Sequence, residues 1–161
     1  MSDYSSLYAL AHDLIYLGTD GEPVYSDHFA RLNSEVYQQA NLLYNRQGST
    51  PEEEAFICLA LLTAYEATIY DGGNKRQHIQ RLLDRSFQVL PRLEPSLLKV
   101  RLLTLCYSEV YDEELSSEAR TIIQSWGDPA QYSAEQREAA AELKNVEDNA
   151  YPYEVVEEEN R

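Results

Sequence analysis

The sequence predicts an all-α protein: a single-domain antiparallel bundle of about six to seven helices around a buried central helix at residues 55–70. Apolar residues recur at helical spacing in successive segments, and helix start and stop signals separate those segments. No stretch sustains the alternation of period two that is typical of strands. The length of 161 residues is enough for one compact domain with a core of its own.

The predicted central helix, residues 55–70, reads AFICLALLTAYEATIY and is apolar around its whole circumference. Such a helix is usually surrounded by other helices. Ser49 or Thr50 can cap its start, and Pro51 suits its first turn. The glycines of residues 71–73 favour its end. Its apolar run is too short for a membrane span, so we expect a core helix.

Two amphipathic helices precede the central helix, at residues 5–17 and from Ser26, the expected cap, to about Tyr44. A further amphipathic helix follows from about Asn74. Its predicted buried face carries Ile79, Leu82, Leu83, Phe87 and Leu90.

Three more helices are predicted in the C-terminal half. Residues 97–111 are almost as apolar as the central helix, and we expect Lys99 and Arg101 to reach water from its ends. The next helix runs from about Leu115 to Trp126. Ser133 begins the last one, whose apolar residues are few and small.

These observations predict three regions along the chain. Residues 1–126 form a compact helical domain, and residues 127–147 form a loosely docked C-terminal helix. Residues 148–161 form an acidic tail whose composition does not repay the entropy of ordering, so we expect it to be disordered.

The charge balance narrows the classes of partner. With 28 acidic and 13 basic residues the formal net charge is -15, which repels nucleic acid and membranes and suits a basic protein. Residues 75–101 hold 7 of the bases, whereas residues 102–161 hold 15 of the acids. The N-terminus lacks the pattern of a secretory signal, so the expected location is the cytoplasm.

No constellation of residues predicts catalysis. Cys58 and Cys106 lie in apolar helical runs and are expected to be buried free thiols without a metal. His12, His28 and His78 are far apart in the sequence, and each is expected to be a surface or a hydrogen-bonded structural histidine. We therefore expect no enzyme activity, no metal and no cofactor.

Tyrosine is the most abundant aromatic residue, with 13 copies, and it is favoured at recognition surfaces. Tyrosines beside an acidic cluster form the first candidate partner-binding site: Tyr107, Tyr111, Asp112, Glu113, Glu114 and Glu118. An alternative basic face, which needs an acidic partner, consists of Lys75, Arg76, Arg81 and Arg85. Either set is also compatible with an ordinary solvated helix surface.

Several whole segments of the chain carry a recognisable pattern: LAHDLIYLGTDGEPVYSDHF, EEEAFICLALL with its TIYDGG ending, LLDRSFQVL, and SLLKVRLLTLCYSEVYDEEL. Together these segments resemble the UpxZ family of regulators, which are encoded in the capsular polysaccharide loci of Bacteroides and relatives. The resemblance covers about residues 7–120, transfers no site residues, and leaves residues 127–161 outside it.

The resemblance implies an antagonist of transcription antitermination that blocks NusG-like antiterminators of the UpxY type from other capsule loci. The expected partner is therefore a protein, with no direct contact to nucleic acid or membrane. An alternative function is a helical adaptor that binds a peptide or protein unrelated to transcription. The sequence leaves the oligomeric state undetermined.

Overall fold

The computed structural model describes residues 3–18, 24–69 and 73–149. Within these ranges the chain forms seven α-helices and two short 3-10 turns and no strand, so the all-α prediction is confirmed. The helices are α1 (Asp3–Ile15), α2 (Ser26–Leu43), α3 (Pro51–Ala67), α4 (Lys75–Val89), α5 (Leu97–Val110), α6 (Glu113–Gln124) and α7 (Ala134–Asn149). None of these helices is long and apolar enough to cross a membrane.

The chain divides into two compact units, Met1–Arg92 and Leu93–Arg161. The first contains α1 to α4, and the second contains α5 to α7. The predicted limits at residues 126 and 147 stay predictions. Residues 150–161, most of the predicted tail, lie outside the described ranges.

Helix α3 is the central helix of the first unit, with α1, α2 and α4 packed against it. Every residue from Ile57 to Tyr65 is buried, as expected for a helix that is apolar all round. Thr50, the N-cap, accepts a hydrogen bond from the Glu53 amide at 3.0 Å. The helix ends at Ala67, three residues earlier than predicted, because Thr68 has extended backbone and its hydroxyl donates to the Tyr65 carbonyl at 2.9 Å.

Two expectations for the flanking helices are wrong. Ser26 begins α2 but does not cap it, since the N-cap is Tyr25 and no side chain completes the cap. In α4, Phe87 is 39% exposed, whereas Ser86 is fully buried. At 100° per residue Ser86 falls at the centre of the stripe marked by Ile79, Leu82 and Leu83, and Phe87 falls at its edge.

The second unit is built on α5, against which α6 and α7 pack. Ser96 caps α5 by accepting from the Lys99 amide at 3.1 Å. Helix α7 also packs on α6 and contributes the buried residues Ala139 and Leu143. How firmly α7 is held stays a prediction.

Candidate functional site

The predicted acidic cluster lies at the corner between α5 and α6. Tyr111 caps α5 in the left-handed conformation, with φ 56°, and is the one non-glycine residue with positive φ in the described ranges. This conformation costs about 1 kcal/mol for a residue with a Cβ. Asp112 then caps α6 by accepting from the Glu114 amide at 3.0 Å. The tight corner brings an exposed tyrosine and the first-turn carboxylates of α6 to one surface.

The two tyrosines of the cluster have different surroundings. Tyr107 is 4% exposed, whereas Tyr111 is 38% exposed. Their rings meet edge to face, with centroids 6.0 Å apart. Tyr107 is therefore a buried residue of the corner, whereas the Tyr111 ring is partly exposed to solvent.

Glu113 and Glu114 open onto a cleft of about 510 Å³ within the second unit. The remaining lining residues are Tyr107, Ser116, Ser117, Arg120 and Glu147. Arg120 of α6 forms an ion pair with Glu147 of α7. Neither Glu113 nor Glu114 forms an ion pair with any residue in the described part of the chain. Their negative charge is favoured by the N-terminal end of the α6 dipole.

Glu118 differs from the other acids of the cluster because its charge is already paired. Its carboxylate lies 3.1 Å from the ammonium of Lys99, which also donates to the Leu93 carbonyl at 3.2 Å. Lys99 is 7% exposed, so the expectation that it reaches water is wrong. A buried ammonium needs such partners because the loss of hydration is costly.

The alternative basic face does not present four equivalent cations. Lys75 donates to the Thr68 carbonyl at the end of α3. The Arg85 guanidinium makes two hydrogen bonds to Glu54, at 2.8 and 2.9 Å, and one each to the carbonyls of Tyr44 and Arg46.

Arg85 therefore holds α4 to the start of α3 and the end of α2, with 15% of its side chain exposed. Arg76 and Arg81 are exposed, and the Arg81 guanidinium carbon lies 6.0 Å from the Tyr44 ring centroid. Binding of a partner at this face stays a prediction.

Electrostatics within the first unit match this structural role of Arg85. Burial by itself raises the pKa of the Glu54 carboxyl. Hydrogen bonds from Arg85 and the Gly48 amide, together with the charge of Arg85, outweigh burial and hold that pKa below its usual value. The same hydrogen bond to Glu54 raises the pKa of Arg85. The pair is therefore fully ionised near neutral pH.

His78 belongs to an aromatic cluster on α2, α3 and α4. Its ring stacks on Tyr44 with centroids 4.1 Å apart and lies 5.1 Å from Tyr65. His78 Nδ1 and the Tyr44 hydroxyl are buried, and neither has a hydrogen-bond partner in the described ranges. His78 is thus neither a surface nor a fully hydrogen-bonded histidine, contrary to expectation. Burial, aided by the charge of Arg81, lowers its pKa.

Candidate metal ligands and cysteine thiols were the remaining groups with possible site chemistry. No group of three or more His, Cys, Asp or Glu side chains in the described ranges is arranged to hold a metal ion. Cys58 and Cys106 are buried and form no disulfide, as predicted. Burial raises the pKa of the Cys58 thiol to about 11, which keeps it protonated and unreactive near neutral pH.

Sequence reasoning found part of the cleft and missed the rest. Arg120 could have been found, because it follows Glu113 by seven residues and so shares its helix face. Glu147 carries no such signal. It comes from α7, and only the packing of α7 on α6 brings it to the cleft.

Comparisons with known proteins agree on one family. The UpxZ family of transcription anti-terminator antagonists matches residues 4–108. A solved structure of a transcription anti-terminator antagonist UpxZ from Bacteroides uniformis ATCC 8492 is 46% identical, with a TM-score of 0.85 and coverage of 94% of both chains. That coverage extends past residue 120, where the resemblance in the sequence ends. No curated protein matches the chain.

Proposed function

The chain belongs to the UpxZ family of transcription anti-terminator antagonists, and we propose that it acts by binding a NusG-like antiterminator of the UpxY type directly. Binding would limit the expression of capsular polysaccharide loci. The family description names a regulatory activity and not a catalytic one. On this proposal the chain acts in the cytoplasm as a stoichiometric protein inhibitor.

The exposed acidic corner between α5 and α6 is the observation that carries the proposed binding surface. It combines the exposed ring of Tyr111 with the carboxylates of Glu113 and Glu114, which have no ion-pair partner among the described residues. Tyrosine supplies apolar area with a polar tip, and unpaired charges at a rim steer an oppositely charged partner. A basic, nucleic-acid-facing or polymerase-facing surface of the antiterminator fits this corner.

The test is binding of the purified chain to a panel of NusG-like antiterminators, with a charge-reversed variant at the corner. Glu114→Lys should weaken the affinity roughly tenfold, because an attraction becomes a repulsion at the interface. Glu135→Lys is the matched control. Glu135 is an exposed glutamate at the same position of α7 as Glu114 in α6, so the net charge changes equally in both variants.

Two outcomes would count against the proposal in different ways. If the unaltered chain binds no antiterminator of the panel, the proposed function is wrong and the helical-adaptor hypothesis gains weight. If binding occurs and both variants weaken it equally, the corner is not the binding surface. The basic face with Arg76 and Arg81 would then be the next surface to test.

A further inference from the structure

We propose that the cleft between α6 and α7 is a pocket for a single arginine side chain of the protein partner. This inference rests on the proposed function, since the partner is the one proposed there. It goes further by naming the side chain that is recognised and the groups that recognise it. The pocket lies entirely within the second unit.

The charges that line the cleft do not balance. Three carboxylates and one guanidinium line it, and Arg120 is engaged by Glu147 of α7. Glu113 and Glu114 keep no ion pair within the described ranges. The α6 dipole explains why carboxylates are tolerated at this helix end, but it leaves their outward oxygens free to accept from a cation.

Tyr107 adds a polar group of a different kind to the carboxylates of the cleft. The residue is 4% exposed and lines the cleft. Its hydroxyl makes no hydrogen bond to any residue in the ranges that the structure describes, 3–18, 24–69 and 73–149. The hydroxyl is not one of the buried polar atoms without a partner, so the small exposed part of this side chain includes its polar tip. The tip of a tyrosine can accept a hydrogen bond from a donor that enters the cleft.

The groups that line the cleft favour arginine over lysine. Arginine presents five donors in a planar fork, is less strongly hydrated than lysine and stacks on aromatic rings. A guanidinium therefore matches two carboxylates and a phenol better than the point charge of an ammonium does. Arg120 already places a guanidinium against Glu147 in this cleft. A volume of about 510 Å³ has room for a second one with part of its stem.

The test uses a small probe and the full chain, so it does not require the antiterminator. The probe is N-acetyl-arginine methylamide, with the lysine and citrulline analogues for comparison. The readout is the NMR signal of the Tyr107 ring in tyrosine-labelled protein, assigned with Tyr107→Phe. We expect a saturable shift with the arginine probe, a weaker effect with lysine and none with neutral citrulline.

Matched variants locate the effect. Glu114→Gln should weaken the arginine probe roughly tenfold, since one charge-assisted hydrogen bond is lost. Glu135→Gln removes the same charge at the same position of α7, outside the cleft lining, and should leave the probe affinity unchanged.

Three results would each overturn the inference. The first is no saturable shift of the Tyr107 signal with the arginine probe, and the second is an equal shift with the citrulline or lysine analogue. The third is an equal loss of affinity for the arginine probe in the two glutamate variants. Failure of the proposed function is a separate result, since it is read from the antiterminator panel. An arginine pocket without antiterminator binding would point to another arginine-bearing partner.

Discussion

Arg85 illustrates how much of the first unit depends on a single polar side chain. Its guanidinium joins the Glu54 carboxylate of α3 to two carbonyls at the end of α2. The two charged side chains are 15% and 20% exposed, so most of their hydration is lost. Removing one partner from such a pair leaves the other charge and the carbonyls without their donors.

We predict that Arg85→Ala lowers the free energy of unfolding by about 2–4 kcal/mol. Chemical denaturation followed by helical circular dichroism measures the loss. Arg31→Ala is the control, because it breaks an exposed ion pair with Asp27 whose side chains are 79% and 81% exposed. That variant should lose less than about 0.5 kcal/mol. Similar losses in the two variants would show that Arg85 does not hold these segments together.

The same pair has a predictable pH dependence. The folded pKa of Glu54 lies below its unfolded value of 4.5, so its contribution to stability is complete above pH 4.5. The contribution is lost as the pH falls through the folded pKa. Arg85→Ala should therefore lose less stability than the unaltered chain over this acid range. Parallel pH profiles would contradict this role of the pair.

At the scale of elements, the start of α3 is a crowded junction that requires a residue without a side chain. A Cβ on Gly48 would lie 2.3 Å from the Glu54 nitrogen and 2.7 Å from the Glu53 carbonyl carbon. Gly48 also donates its amide to the Glu54 carboxylate at 2.9 Å. The obstacle is helix backbone, which does not move aside as a flexible side chain does.

We predict that Gly48→Ala destabilises the chain by about 3 kcal/mol, because overpacking must displace the first turn of α3. Gly127→Ala is the comparison. Its φ is 87°, but nothing lies within 4 Å of the added Cβ, so only the left-handed conformation is penalised, by about 1 kcal/mol. Denaturant midpoints of the two variants measure the difference. A smaller loss at Gly48 than at Gly127 would contradict this account of the junction.

At the scale of the whole molecule, the net charge of -15 governs which partners can approach. The screening length in solution falls from about 30 Å at 0.01 M salt to about 10 Å at 0.1 M. Long-range attraction to a basic protein is therefore lost over that interval, and the association rate falls more than the dissociation rate changes.

We predict that association of the chain with its antiterminator slows steeply as the salt concentration is raised. Surface plasmon resonance at several salt concentrations measures the association rate constant. An association rate independent of salt would show that the acidic surface does not steer the encounter.

We also predict that the chain does not bind RNA or DNA at low salt. An electrophoretic mobility-shift assay measures this binding. A shifted nucleic-acid band would show that the net charge does not decide the class of partner.

Local patterns were sufficient to predict the helical class and the approximate limits of the helices. The predicted central helix ends three residues too late, at residue 70, and the predicted range begins at residue 55, four residues after Pro51. The predicted limits of the other helices lie within two or three residues of the observed ones. This accuracy has a local cause, since apolar spacing and N-cap chemistry act within a few residues of each helix end. The buried state of the central helix was predicted for the same reason.

The composition and the spacing of its residues by themselves determined that this chain is helical, acidic and built around an apolar helix. Only the tertiary structure decided that Lys99 is buried against Glu118, that Arg85 is engaged by Glu54, and that α7 completes the cleft. Each of these features joins residues from different helices. Pairing across helices depends on how the helices pack, and local spacing along the chain carries no record of that packing.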